Sequence, residues 1–399
     1  MSFPERFSVL PEYPFARLNG LLRKRRPGGE VIDLSVGNPR HAFPDWISEA
    51  IADESAGLGT YPPTMGTPEL LCAISGWIER RYSVDVNPDR EILILNGTRE
   101  GLFNACLWLV PESENGQVPC VLIPNPFYQV YAGGVVAAGA EPVYVPAVKE
   151  TGYLPDYASL SQDILDRTSL AFLCSPSNPQ GAVASAEYLA QLLSLAEHHG
   201  FRILADECYS EIYRTVPPPG ILEVAAAHKV KRESVVAFHS LSKRSNLPGL
   251  RSGFLVSGRK TVKWMKTLRE YSAPSMPGPL QKASALAWGD ELHVEENRLR
   301  YCRKFDVADR IFGDLEGYRS PEGGFFLWLS VGNGESAALK LWSDYGVRVL
   351  PGEYLGREVN GSNPGRGYIR VALVADEPEL EAGLGKIRKF IGEQGAVVS

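Results

Sequence analysis

Six short apolar runs recur between residues 91 and 258, and the segments that follow them switch to helical spacing. EILIL (91–95) precedes TREGLFNACLWLV, and CVLIP (120–124) precedes YQVYAGGVVAAGA. LAFLC (170–174) runs through a Pro/Gly loop into SAEYLAQLLSLAEHHG. FRILA (201–205), SVVAF (234–238) and GFLVSG (253–258) complete the set. Strand, loop and helix in repetition build an α/β unit: a large, mostly parallel sheet with helices on both faces. In such sheets ligands bind outside the carboxyl ends of the strands.

The pattern changes further along. Residues 261 to 313 read as mostly helical, with a break near SAPSMPGP. Then GGFFLWLSV, YGVRVLPG and GYIRVALV are strand-like and separated by helical stretches, which predicts a smaller α+β domain. The expected division is an N-terminal arm (1–40) packing with the small domain, a large domain (41–289) and a small domain (290–399). A chain of 399 residues fits two domains. A net charge of −6 argues against a basic nucleic-acid surface. No apolar run is long enough to span a membrane, and MSFPERFSVLPEYPF carries no secretory leader pattern. The six cysteines form no C-x-x-C pair, and most sit in apolar runs. They read as reduced thiols of a cytoplasmic chain, with no zinc or other metal site.

Polar residues cluster where the strands end. After the first run come Asn96, Gly97, Thr98 and Arg99, where free helix N–H groups would cradle an anion; Thr98 also suits a plain helix cap. Tyr128 follows the second run, placed either to stack on a flat ring or to pack in the core. Asn178 lies in the turn SPSNPQG after the third. Asp206, Glu207 and Tyr209 follow the fourth. Carboxylates there are costly unless paired or solvated, so a cationic ring nitrogen would account for one of them. The fifth leads into HSLSKRSNLPGLRSGF, with Ser240, Ser242, Lys243 and Arg251. Each feature is weak alone. Together they fit pyridoxal 5′-phosphate, which calls for a lysine to bond its aldehyde, an acid at its ring nitrogen and a cationic grip on its phosphate.

The constellation resembles the aminotransferases related to aspartate aminotransferase. The likeness covers nearly the whole chain, in the family's order: SVGNP (35–39), TYPPTMGTPEL (60–70), NGTREG, PNPFYQVY, SPSNPQG, ADECYSEIY, SLSKRSNLPGLRSGF and YIRVAL (368–373). Within the family, FHSLSKRSNLPGLRSGF, NPFYQVY and DECYSEIY are most similar to the bacterial N-succinyldiaminopimelate aminotransferases of lysine and peptidoglycan-precursor synthesis.

The resemblance implies the aspartate aminotransferase fold and transamination of an amino donor with a 2-oxo acid, the partners implied by likeness being N-succinyldiaminopimelate and 2-oxoglutarate. It implies Lys243 as covalent anchor and proton carrier, Asp206 at the ring nitrogen, Tyr209 and Asn178 at the ring oxygen, and Tyr128 on the ring face. Ser240, Ser242, Arg251, Gly97 and Thr98 would hold the phosphate, with Arg99 beside them. Arg99 stands where relatives commonly have an uncharged polar residue. Arg370, with Gly37 nearby, would hold the substrate α-carboxylate. Tyr61 would reach the neighbouring subunit's phosphate, implying a homodimer with shared sites. Candidate cations for a distal carboxylate are Arg23, Lys24, Arg25, Arg26, Arg99 and Arg244. Other readings are an aspartate, alanine or aromatic aminotransferase, a carbon–sulfur lyase of the same fold, and a cofactor-binding regulatory domain.

Overall fold

The computed structural model describes residues 4–10 and 12–393; the remaining parts of the 1–40 arm and of the 290–399 unit lie outside the described residues. The large sheet has seven strands: β1 (Ile92–Leu95), β2 (Cys120–Asn125), β3 (Glu141–Pro146), β4 (Thr168–Cys174), β5 (Arg202–Asp206), β6 (Val235–Ser240) and β7 (Gly253–Val256). Their order across the sheet is β1-β7-β6-β5-β4-β2-β3. Strands β3, β2, β4, β5 and β6 run parallel, and β7 is antiparallel to both β6 and β1.

Six of the seven strands are the apolar runs read from the sequence. The other is β3, EPVYVP, which lies at the sheet edge with its two ends exposed. Pro142 and Pro146 remove two backbone donors, which only an edge strand tolerates. Its half-solvated residues therefore escape a search for continuous apolar runs.

Both faces of the sheet are buried, and residues alternate between them. Ile203, Ala205, Val235 and Ala237 pack into one core, with Trp77 and Phe254. Leu204, Val236 and Phe238 pack into the other, with Phe172 and Tyr131. Each fully buried aliphatic side chain contributes roughly 1.5–3 kcal/mol. The alternation carries through to the strand ends, so Asp206 and Ser240 continue the second face while Glu207 and His239 continue the first.

The second sheet comprises β8 (Phe326–Ser330), β9 (Leu350–Pro351) and β10 (Tyr368–Ala372), antiparallel in the order β9-β10-β8. Three helices precede it, Arg259–Ser272, Gly278–Gly289 and Leu292–Phe312. The first helical break falls at the expected Pro-rich stretch. The arm contributes a helix, Pro14–Leu22, whose Leu18 and Leu22 pack with Leu350, Tyr354 and Leu355. Ile32–Asp33 then pairs in parallel with Val347–Arg348. That pairing carries residues 35–38 over the carboxyl ends of the large sheet. Among the described residues no helix is long and apolar enough to cross a membrane.

Candidate active site

The strand order reverses between β2 and β4, the kind of point where open α/β sheets form a crevice. A cavity of about 620 Å³ lies there. The strand ends supply Asp206, Ser240, Ser242 and Lys243, the arm supplies Tyr13 and Gly37, and the second sheet supplies Phe326 and Arg370.

Lys243 sits on the short helix Leu241–Arg244, whose start is capped by Ser240 Oγ accepting from the Ser242 N–H at 3.1 Å. Its Nζ donates to the Gly37 carbonyl at 2.8 Å. Burial lowers the Lys243 amine to about 8, and the positive Arg370 and Arg251 push the same way against Cys208 and Asp206. The amine is thus within reach of the neutral, nucleophilic form near physiological pH.

Asp206 is buried, and burial raises its pKa. Two hydrogen bonds oppose the shift: Tyr131 Oη donates to Oδ2 at 2.7 Å, and the Cys208 N–H donates to Oδ1 at 3.3 Å. Among the described residues no cation forms an ion pair with it. Glu207 points to the opposite face, as the alternation requires. Its Oε1 accepts from the Ile221 N–H at 2.7 Å, and its Oε2 lies 3.2 Å from His239 Nε2. One carboxylate is therefore held inside the fold through its Oε1, and the other faces the cavity without a cation.

At one end of the cavity the groups suit a phosphate. The helix Thr98–Leu109 has no side-chain cap, and the Thr98 hydroxyl lies 3.1 Å from Cys208 Sγ. Thr98 is thus the first helical residue, not the cap that the sequence also allowed, and the helix start remains open. Gly97 has φ +81°, and a Cβ there would lie 2.3 Å from Arg251 Nη2. Only glycine lets that guanidinium approach so closely. Arg251 donates to the carbonyls of Pro248 (2.8 Å) and Asn96 (3.1 Å) and stays exposed. The Ser240 and Ser242 hydroxyls are 3.0 Å apart.

At the other end Arg370 donates to Asn178 Oδ1 at 3.0 Å and to the Ser35 carbonyl at 2.8 Å. Its guanidinium lies over Phe326, 4.3 Å from the ring centroid, and its Nε has no partner. Burial lowers it to about 10. Among the described residues no carboxylate pairs with it. Tyr209 lines the same wall, edge-on to Phe325 and Phe326.

Tyr128 is only half-buried and its hydroxyl accepts from Arg99 Nε at 2.7 Å, so Arg99 leans toward the cavity mouth and not toward the phosphate end. Tyr61 is fully exposed and does not line the cavity of its own chain. The sequence reading missed Tyr131, Cys208, Phe326 and Tyr13. Tyr131 was within reach, three residues after Tyr128, to whose carbonyl its N–H donates at 3.0 Å across the turn that opens the helix Val130–Ala137. Phe326 and Tyr13 arrive from distant segments and carry no local signal.

The donor set fits pyridoxal 5′-phosphate: an open helix start, two serines and Arg251 for a dianion, an unpaired buried acid for a ring cation, and an amine between them. A family model described as aminotransferase class I and II matches residues 29–387. An LL-diaminopimelate aminotransferase of Desulforudis audaxviator is 33% identical over 404 residues, covering 98% of this chain and 99% of that protein. An aminotransferase structure from Neisseria meningitidis aligns with a TM-score of 0.92 at 37% identity, covering 96% of this chain and 98% of that one. Aminotransferase AspB from Helicobacter pylori aligns at 0.90 and 35% identity, covering 98% and 100%. The chain therefore belongs to the class I and II aminotransferases, pyridoxal 5′-phosphate enzymes with the aspartate aminotransferase fold.

Proposed function

We propose that the enzyme transaminates N-succinyl-LL-2,6-diaminopimelate, with 2-oxoglutarate as acceptor. The diaminopimelate skeleton is supported by the name of the Desulforudis relative. The succinyl group is supported by one observation: among the described residues lining the cavity, Asp206 is the only carboxylate, and it lies deep on Tyr131 and Cys208. A free diaminopimelate presents a distal ammonium, which would find no acid there. Acylation removes that ammonium and adds a carboxylate, which suits a mouth bearing Arg99. A donor panel of N-succinyldiaminopimelate, LL-diaminopimelate, aspartate, alanine and tyrosine, read by glutamate formation from 2-oxoglutarate, tests this. The succinylated donor should have the highest kcat/KM; a higher value for LL-diaminopimelate would replace this reading with the relative's named activity. Pyruvate release from cystathionine would favour the lyase.

In this reading Lys243 anchors the cofactor and carries the proton from the donor α-carbon. The bound cofactor supplies an electron sink for that carbon. Asp206 holds the ring nitrogen charged, Tyr209 and Asn178 bond the ring oxygen, and Tyr128 covers one ring face. Ser240, Ser242, Arg251 and the N–H groups after Gly97 hold the phosphate. Arg370 takes the α-carboxylate beside Gly37, trading its bonds to Asn178 and Ser35 for a bidentate pair. Arg370→Ala should lower kcat/KM for every amino acid donor, long or short, by roughly 1.5–3 kcal/mol per lost contact. A loss confined to one donor would contradict that role.

The six free thiols suit a reducing cytoplasm. We also propose a homodimer in which Tyr61 of one protomer reaches the phosphate of the other. Tyr61 is fully exposed just after the 3-10 helix Ser55–Gly59, whose Leu58 is 69% exposed, and a second chain would cover both. Mixing an inactive Tyr61→Ala protein with an inactive Lys243→Ala protein should restore part of the activity through hybrid dimers. A fully active monomer would refute the shared site.

A further inference from the structure

Of the six cations named from the sequence as readers of a distal carboxylate, the fold leaves one in place. Arg23, Lys24, Arg25 and Arg26 are exposed and do not line the cavity. Arg244 is buried elsewhere, donating to the Ala287 carbonyl at 2.6 Å, the Asp290 carbonyl at 3.1 Å and Glu291 Oε1 at 3.0 Å. Arg99 lines the cavity at its mouth, pairs with no carboxylate among the described residues, and rests on the neutral phenol of Tyr128. A bond to a carboxylate is about twice as strong as a bond to a neutral acceptor, so an anion arriving there displaces the phenol. Tyr13, from the arm, lines the same cavity as Arg99 and Arg370. Among the described residues three arginines without acid partners line the cavity: Arg251 at the phosphate end, Arg370 buried at the opposite end, and the exposed Arg99. Although exposed, Arg99 is held at 2.7 Å to a cavity-lining tyrosine, so its guanidinium is positioned at the cavity and not left loose in solvent.

We propose that Arg99 is the second carboxylate anchor of this enzyme, swinging from Tyr128 onto the distal carboxylate of a long donor while Arg370 holds the α-carboxylate. Arg99 therefore determines specificity and does not take part in the chemistry. The inference rests on the reading of the site as one for a long, distally acidic amino donor.

Two measurements on the holoenzyme test it. The first is calorimetric affinity for pimelate against heptanoate, chains of equal length with two carboxylates or one. The second is the single-turnover rate of 2-aminopimelate against 2-aminoheptanoate. Wild type should favour the dicarboxylate in both, by roughly tenfold to a hundredfold for a charge-assisted contact. Arg99→Gln should abolish that preference, and Arg99→Lys, a point charge without the fork, should keep part of it. Wild type with no preference, or a preference that survives in Arg99→Gln, overturns the proposal. The donor panel is a separate matter. If LL-diaminopimelate outperforms the succinylated donor, the proposed substrate falls while the Arg99 dependence of the dicarboxylate series is decided on its own.

Discussion

Lys243→Ala should fold normally and lose turnover by at least about three powers of ten, since proton transfer by a positioned side chain alone supplies roughly a hundred- to ten-thousandfold. Borohydride treatment of the wild-type holoenzyme should fix the cofactor to one peptide, the one carrying Lys243; an adduct on Lys260 or Lys266 would remove Lys243 from its proposed role. A pH dependence follows from the amine's environment. The Lys243 pKa is lowered to about 8, chiefly by burial. Only the neutral amine attacks an aldehyde, so capture of pyridoxal 5′-phosphate by the stripped protein should speed up as pH rises toward about 8 and then level off. A free surface lysine would go on accelerating to its ordinary value near 10.4. Stopped-flow absorbance of cofactor capture distinguishes the two profiles without requiring turnover.

The Asp206→Asn protein should still bind the cofactor and lose most of its activity. An opposite charge nearby shifts a titrating group by roughly one to three pKa units. Removing it should lower the ring-nitrogen pKa by that amount and the rate by about tenfold to a thousandfold. The bound cofactor's absorbance, followed against pH, reports the ring-nitrogen change directly. Glu207→Gln should behave in the opposite way. It breaks a buried contact with His239 and leaves the cavity intact, so thermal stability should fall while the folded enzyme keeps its turnover. Loss of a hydrogen bond to a charged group typically costs roughly 1.5–3 kcal/mol, and the substitution would weaken the acceptor that the Ile221 N–H now meets. Full activity in Asp206→Asn together with collapse in Glu207→Gln would reverse the assignment.

These two residues mark where local information ends. The apolar run 201–205 announces a buried strand, and a ligand at its carboxyl end follows from the α/β pattern alone. Lys243 and Arg251 were legible for the same reason, because the strand, the small turn residues and the basic groups are contiguous. Edge strand β3 was not legible, since a half-solvated strand with two prolines lacks the apolar signature that burial on both faces imposes. Neither was the choice between Asp206 and Glu207 derivable from their neighbours. It depends on which face of a seven-stranded sheet holds the cavity, and the family likeness, not the periodicity, had pointed to Asp206. The remaining walls of the site are decided by tertiary structure. Lys243 meets Gly37 across 206 residues, and Arg370 meets Asn178 across 192. No periodicity encodes such separations. Leu18 and Leu22 bury against Leu350, Tyr354 and Leu355, and this packing brings the arm and the second sheet over the strand ends. Hydrophobic burial is non-directional and recognises only that two surfaces are apolar, so which polar residues come to face one another across the cavity is settled when those surfaces close.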